Sequence, residues 1–381
     1  MTYDFPIFAI MGLWNIPLLL LQKIFGIVWY NNLISILYAK SILILFAILS
    51  LWIIKKILVL LNKTQEDIKW YKFLFVSSPI FLMVLGLFFV FYIISIFFSL
   101  VGIYYYLQDK DKQFVLFFAL AISLKLFALV LFIPLLLLKY KKISKILLYG
   151  FLSLSVLIFA KLVYMNAPMY QESLNAFNDG MMTYLMTNNF AGSFSTVSIF
   201  FIIYTLICIL CYFKEYKGKE TLEKYTMYIG LVVMGSFCTF VTIHPQWFIL
   251  VLPYLTYFLI NNKKLKYHNL LVEMGYVSSM LAILVIHYTW VFCPTLLNRM
   301  LLNKLFPLNE IPTHMPLVAR FNEFLPIISG VAIACFLVFL YLNYPDFQKK
   351  EIKQKFSRSL LWIRMGIILI PTLLMIIGYF R

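Results

Sequence analysis

Read from its start, the chain alternates long apolar runs with short polar stretches, and several runs approach the roughly 20 residues that a membrane-crossing helix needs. None shows the strict apolar–polar alternation of a barrel strand. The pattern predicts an all-α integral membrane protein, a polytopic bundle of about 10–12 transmembrane or re-entrant helices. No internal repeat, low-complexity tract or Gly/Ser-rich linker interrupts it, so residues 1–381 read as a single polytopic transmembrane domain.

The polar stretches set the expected topology. Lysine-rich segments recur at Lys55 to Lys72, Asp109 to Lys112, Lys139 to Lys145, Lys214 to Lys224, Lys263 to Lys266 and Lys349 to Arg358. The bias of basic loops places all six on the cytoplasmic side. Residues 166–192 carry Glu172, Asn175, Asn178, Asp179, Asn188 and Asn189 but no basic residue, which makes them an outer loop; residues 294–323 form a second. From Phe73 to Gln108 the chain begins and ends inside, which predicts two tilted spans with an outer bend near Phe88 to Tyr92. The interval Phe114 to Leu138 also has basic stretches at both ends, yet at about 1.5 Å per residue it is too short for two full crossings. Either it is a hairpin of two half-helices with Lys125 near the tip, or it is one helix with an atypically basic outer flank. Residues 1–30 are open in the same way. Ile7 to Val28 spans and leaves Asp4 inside, or the segment is an outer element broken at Trp14-Asn15-Ile16-Pro17, which leaves Asp4 outside.

Composition agrees with the pattern: 63% hydrophobic residues against 12% charged exceeds what a soluble core needs. A net charge of +17 would point to nucleic acid in a soluble protein, but here the lysines cluster in the polar loops, so topology accounts for them and no nucleic-acid partner is expected. The first residues carry Asp4 rather than a basic region, and no small-residue cleavage site follows, so no cleavable signal is expected. Cys208-x-x-Cys211 lies inside an apolar run and reads as two small helix-packing residues rather than a redox motif. The abundance of Lys, Asn, Ile and Phe suggests an AT-rich bacterial source, hence a multi-pass protein of a bacterial plasma membrane.

Two polar interruptions carry the chemistry. One is Lys125, within Phe118-Ala119-Leu120-Ala121-Ile122-Ser123-Leu124-Lys125-Leu126-Phe127; the other is His244-Pro245-Gln246-Trp247, at a corner between two apolar runs. Ionisable or hydrogen-bonding groups at membrane depth are expensive, which makes them functional-site candidates, here for a charged lipid. Carboxylates are scarce. Once those in the cytoplasmic segments, Asp346 beside the last of them, and Glu273, just inside a span, are set aside, Asp4, Glu172, Asp179, Glu310 and Glu323 remain.

Several of these elements resemble the polytopic glycosyltransferases of the GT-C architecture, which take a sugar from a polyprenyl-phosphate carrier. The resemblance rests on Tyr3-Asp4-Phe5-Pro6, Ser77-Ser78-Pro79, Gly102 to Tyr106 before a basic loop, Phe118 to Pro134 around Lys125, and His244 to Pro253. It implies inverting transfer on the outer face, an acidic catalytic residue from an outer loop after the first helix, and basic groups on the carrier phosphate. Two features depart from the family. The Gly-Gln-aromatic-Asp turn of bacterial members reads Phe88-Phe89-Val90-Phe91-Tyr92 here, without a carboxylate. The Tyr-Asp segment, which in the family follows a first spanning helix, begins this chain, so the first transmembrane helix is expected to be missing.

Transfer to a hydroxyl needs a general base and stabilisation of the departing phosphate. On the resemblance, Asp4 is the catalytic candidate, with a solvated terminal charge as the plain alternative. Asp179 is the second, set against an ordinary Asp-Gly turn. Lys125 is the candidate for the lipid phosphate, unless it snorkels from a plain helix. His244 and Gln246 are candidates to bond a sugar or phosphate, and Trp247 to stack on a sugar, although an interfacial anchor is the favoured reading for Trp247. Arg320 and Arg299 are further phosphate candidates from the second outer loop, and His287 reads as a helix-packing donor. No metal-ligand spacing is recognisable, so the polyprenyl-phosphate sugar is the one expected cofactor-like ligand, with a divalent metal left open.

The expected function is a membrane glycosyltransferase of cell-envelope polysaccharide or glycolipid assembly. Its partners are a lipid-linked sugar donor, a glycan or glycolipid acceptor and the membrane lipids. The alternatives are a polysaccharide polymerase, a transporter or flippase of lipid-linked glycan, and an inactive truncated family member. Arginine-rich outer loops and internally repeated bundles with polar cavities, which would favour the first two, are not apparent.

Overall fold

The computed structural model describes residues 5–26, 33–87, 91–166, 189–191, 196–241, 243–262, 264–287, 320–345 and 356–373. Nearly all of them are helical. In chain order the helices begin with α1 (Phe5–Phe25), α2 (Leu33–Leu60), α3 (Gln65–Val76) and the short α4 (Pro79–Phe81), which continues as a π-helical turn over Leu82–Leu87. Then come α5 (Tyr92–Leu107), α6 (Asp111–Leu124), α7 (Phe127–Lys139) and α8 (Ile143–Tyr164). A two-stranded antiparallel ladder, β1 (Asn189–Ala191) with β2 (Thr196–Ser198), precedes α9 (Ile199–Phe213) and α10 (Lys219–Phe240). A 3-10 turn at Pro245–Leu250 leads into α11 (Leu252–Asn261) and α12 (Lys266–His287). A second 3-10 turn, Arg320–Phe324, opens α13 (Leu325–Leu342), and α14 (Arg358–Gly366) closes the series.

Among the described residues, four helical segments are long and apolar enough to cross a membrane: Pro6–Phe25, Leu37–Leu60, Ile143–Val163 and Asn322–Leu342; a fifth exists if α3 and the Pro79–Gly86 segment, bent by 45°, count as one broken span. Their outer faces are as greasy as their inner ones. Leu13, Ile24, Phe151, Phe159 and Ile327 are all more than 60% exposed. Helices apolar on every side suit surroundings other than water.

α1 departs from one sequence expectation: it is continuous through Trp14-Asn15-Ile16-Pro17 rather than broken there. Proline removes one backbone donor, but the turn is tied to α2. The Trp14 indole donates to the Tyr38 carbonyl at 3.1 Å, the Tyr38 hydroxyl donates to the Trp14 carbonyl at 2.9 Å, and the two rings stack at 5.7 Å. The Lys55 to Lys72 stretch is also mostly helical. Lys55 and Lys56 belong to α2, while Lys69 and Lys72 belong to α3, which a Thr64–Asp67 capping box starts. The turn between them passes through Asn62 in the left-handed region, where asparagine is tolerated. The outer bend expected near Phe88 falls partly on 88–90, outside the described residues.

Contacts within the chain gather into two compact units. The first comprises residues 1–62, 91–229 and 240–242. Its core is aromatic: Phe114, Phe118 and Phe132 meet with ring centroids 5.0–5.2 Å apart, and Tyr106 joins Phe114 at 4.8 Å. Gly102 lets α5 lie against this cluster, because a Cβ there would overlap the Phe118 ring.

Polar side chains tie the ends of this unit's helices. Lys139, 6% exposed at its side chain, sits 2.9 Å from Asp109 and 2.7 Å from Asp111; Lys145 reaches Asp111 at 3.2 Å. The Tyr216 hydroxyl donates to Asp109 at 3.0 Å, and the Lys141 ammonium donates to the Cys211 carbonyl at 2.8 Å. Three of the lysine-rich segments, Asp109 to Lys112, Lys139 to Lys145 and Lys214 to Lys224, therefore meet at one end of the unit.

Burial alone would raise the Asp111 carboxyl, but Lys139 and Lys145 outweigh it and hold it below the ordinary carboxylate range. A folded pKa below the unfolded value of about 3.9 means that the stabilisation is complete above that value and is lost as pH falls through the folded one. Asp111→Asn is expected to lower the melting temperature near pH 7 by about 2–4 °C, as the loss of one charge-assisted hydrogen bond does. The gap between wild type and variant should narrow as pH falls below about 4, where the wild-type carboxylate itself protonates. A gap that persists undiminished in acid would show that the charge of Asp111 is not what stabilises the corner.

The second unit comprises residues 63–90, 230–239 and 243–381. α12 and α13 pack closely, with the Tyr276 and Phe336 rings 5.5 Å apart and Gly235 admitting Phe336 where a Cβ would overlap it. Buried asparagines cross-link the helix ends. Asn269 and Asn343 exchange side-chain bonds of 3.1 and 3.0 Å, Asn262 donates to the Leu342 carbonyl at 3.3 Å, and Lys63 donates to Asn261.

This unit also buries an ion pair absent from the sequence expectations. Arg364 of α14 and Glu273 of α12, both 1% exposed, form a two-pronged bridge with contacts of 2.8 and 2.9 Å. The remaining arm of the guanidinium donates to the Leu74 carbonyl at 3.1 Å and the Ser77 hydroxyl at 3.3 Å. Both acceptors lie where α3 ends and the chain bends at Ser77-Ser78-Pro79. The Ser78 N–H turns to the Phe75 carbonyl at 3.4 Å instead of that of Leu74, so the Leu74 carbonyl is left over, and the guanidinium at the negative end of the helix donates to it.

Candidate functional site

Lys125 lies at the tip of a helical hairpin. α6 stops at Leu124, Lys125 is extended (φ −156°, ψ 124°), and α7 starts again at Phe127. The two half-helices double back, because Asp111 at the start of α6 is bridged to Lys139 at the end of α7 and Phe114 stacks on Phe132. Of the two sequence readings, the hairpin is the one found. Local chemistry stops α6 at this point. The Ala121 carbonyl accepts both the Lys125 N–H at 3.0 Å and the Ser95 hydroxyl at 2.9 Å, and the Ser123 hydroxyl turns back to the Leu120 carbonyl. At about 1.5 Å per residue, the 14 residues of α6 carry Lys125 roughly 21 Å from the charged corner at Asp111.

The tip is half-buried at Lys125 and exposed at Leu126. The Lys125 ammonium lies 4.9 Å from the centre of the Tyr92 ring, and Tyr92 stacks on Phe127 at 6.2 Å. The ring quadrupole of Tyr92 attracts the ammonium and holds it at the tip.

The His244 to Trp247 corner belongs to the second unit. His244 precedes the 3-10 turn and Pro245 opens it, a position where the missing N–H does no harm. The His244 carbonyl accepts the Trp247 N–H at 2.8 Å, and its ring stands edge-on to Trp247 at 4.8 Å. Trp247 is 5% exposed, stacked on Phe237 at 6.0 Å, and its carbonyl faces the Cys238 thiol at 3.9 Å. That corrects the favoured sequence reading of an interfacial anchor: the indole is a packed core ring with one face already covered. Gln246 Oε1 is buried with no hydrogen-bond partner among the described residues. A buried acceptor without a donor is a place where a ligand hydroxyl or a water would be bound.

Asp4 and Asp179 lie outside the described residues, as do Glu172, Arg299 and Glu310. Arg320 opens the 3-10 turn Arg320–Phe324, but its side chain is outside the description, as is that of His287; Glu323 is exposed. The structure thus brings His244, Gln246 and Trp247 together at one corner and Lys125 together with Tyr92 at another. Among the described residues, no three His, Cys, Asp or Glu side chains gather closely enough to hold a metal ion.

Tyr92 was not singled out from sequence. The available signal was that it falls at the expected outer bend, level with the hairpin tip if the two helix pairs run side by side. Comparison with protein-family models, with characterised proteins and with solved structures gives no match.

Proposed function

We propose that this chain is a multi-pass membrane glycosyltransferase of the GT-C kind, which takes a sugar from a polyprenyl-phosphate carrier and passes it to a cell-envelope polysaccharide or glycolipid on the outer face. The observation that carries the reading is the hairpin with Lys125 at its tip. Its two open ends sit among basic segments, the side that loop charge assigns to the cytoplasm. A tip roughly 21 Å away then lies in the outer half of a hydrocarbon layer about 30 Å thick. An ionisable group at that depth marks a functional site, and a basic one suits the phosphate of a lipid carrier in the outer leaflet.

Lys125 would hold the carrier phosphate and stabilise the charge that grows on it as the glycosidic bond breaks. Tyr92 fixes the ammonium's position. Asp4 or Asp179 would take the acceptor proton, and the buried Gln246 acceptor of the second unit is a separate candidate for a ligand hydroxyl. The bond that breaks joins the sugar's anomeric carbon to the phosphate oxygen; the new one joins that carbon to the acceptor oxygen.

The direct test uses polyprenyl phosphate itself as probe, scored by native mass spectrometry of the protein in lipid nanodiscs. Wild type is expected to retain one molecule, and Lys125→Ala to lose it. Equal retention by both would remove Lys125 from the site. Asp4→Asn is expected to keep the carrier but lose transfer; a fully active Asp4→Asn protein would pass the base role to Asp179.

A further inference from the structure

The last turns of α2 place Trp52, Lys55, Lys56 and Val59 at the i, i+3, i+4 and i+7 positions of one helical face. With Leu60 and Tyr104 of α5 they line a groove of about 250 Å³. The Lys56 ammonium lies 3.7 Å from the centre of the Trp52 ring and 5.8 Å from that of Tyr104. All of these residues belong to the first unit.

The lysines here differ from those at the neighbouring corner. Lys139 and Lys145 are neutralised by Asp109 and Asp111, whereas neither Lys55 nor Lys56 has a carboxylate partner among the described residues. Two neighbouring ammonium groups on one groove repel each other, and an anion relieves that repulsion. The groove also continues into an apolar track. Ile44 and Ile48, each 59% exposed, run up α2 in line with Trp52 at steps of four residues. A soluble anion has no use for such a track, but an acyl chain does.

We infer that this groove binds an anionic phospholipid of the leaflet at the basic end of the unit: its phosphate lies between Lys55 and Lys56, its glycerol against Trp52 and Tyr104, and a chain along Ile48 and Ile44. The inference rests on the membrane-spanning reading but not on the role of Lys125. Trp52, at the edge of the apolar stretch, has the position of an interfacial ring, and paired lysines there favour anionic headgroups.

The test measures phosphatidylglycerol and phosphatidylcholine retained by the protein from mixed micelles, by native mass spectrometry. Wild type is expected to prefer phosphatidylglycerol about 30-fold, as two lysines near a charged headgroup imply. The Lys55→Gln, Lys56→Gln double variant should lose that preference with its melting temperature unchanged, and Trp52→Ala should retain less of both lipids. Equal retention of the two lipids by wild type, or an undiminished preference in the double variant, would overturn the inference. So would displacement of the phospholipid by soluble glycerol phosphate, since the groove would then read a free phosphate. Polyprenyl phosphate, measured in the same preparations, should follow Lys125 and not Lys55 or Lys56. Loss of carrier retention in every sample would therefore count against the transferase reading and leave the phospholipid site standing.

Discussion

Lys125→Ala is expected to abolish sugar transfer, by about 100-fold or more, while the protein still inserts, folds and purifies in normal amounts. The magnitude follows from what the ammonium is asked to do. A single donor aimed at developing charge in a water-poor site is worth about 100-fold or more in rate, and its removal leaves no other described cation at the hairpin tip's aromatic cradle. Folding should be spared because the tip is only half-buried and the hairpin is held from its other end. The Asp111–Lys139 bridge and the Phe114, Phe118 and Phe132 cluster are untouched by the change. Lys125→Arg should keep part of the activity, since the charge survives while its point-like geometry does not. Normal transfer by Lys125→Ala, with normal protein levels, would make Lys125 a plain snorkelling lysine.

Arg364→Ala is expected to have the largest effect on stability. It would leave Glu273, 1% exposed, as a buried carboxylate without its partner, and would strip the Leu74 carbonyl of its donor at the bend. Breaking such a pair from one side costs about 3–5 kcal/mol, enough to lower the melting temperature by about 5 °C or more. Replacing both partners, Arg364→Met with Glu273→Leu, should recover much of that loss, because no unpaired charge is then left behind. If the double replacement is as unstable as Arg364→Ala, the essential contact is the one to Leu74 and Ser77 rather than the ion pair. Thermal unfolding in detergent, followed by the tryptophan signal, distinguishes the two outcomes.

These two residues also mark what the sequence makes legible. The hairpin at Lys125 is one of the two readings that counting leaves open: two basic stretches flank an interval too short for two crossings, and a lysine interrupts its middle; a single helix with an atypically basic flank fits the sequence as well. Loop charge assigns all six basic segments to one side, and three of them, at Asp109, Lys139 and Lys214, are in contact. Arg364 and Glu273 went unread because each was judged alone, Glu273 as a residue just inside a span and Arg364 not at all. Two opposite charges inside apolar helices far apart in sequence are each too costly to stand unpaired, and that physical demand was the missed signal.

Other misreadings share a cause. Trp247 resembles an interfacial anchor by composition, but one-dimensional spacing does not reveal that Phe237 covers its face. At Trp14-Asn15-Ile16-Pro17 the sequence leaves a break open beside an unbroken span, because a proline removes a donor. The reciprocal bonds with Tyr38 that hold the turn come from another helix, which no local rule sees. Lys55 to Lys72 reads as a loop because it is charged, whereas helix ends carry lysine readily when their stems lie along apolar neighbours.

The measurement that tests the central claim most directly is mass spectrometry of lipid-linked and surface glycans from cells with this protein, without it, and with Lys125→Ala in its place. The expected result is the loss of one sugar or branch in the second and third, with that sugar accumulating on its polyprenyl-phosphate carrier. Glycans that are complete in all three, or whole repeat units that stay short or remain on the lipid, would contradict a transferase that works through Lys125.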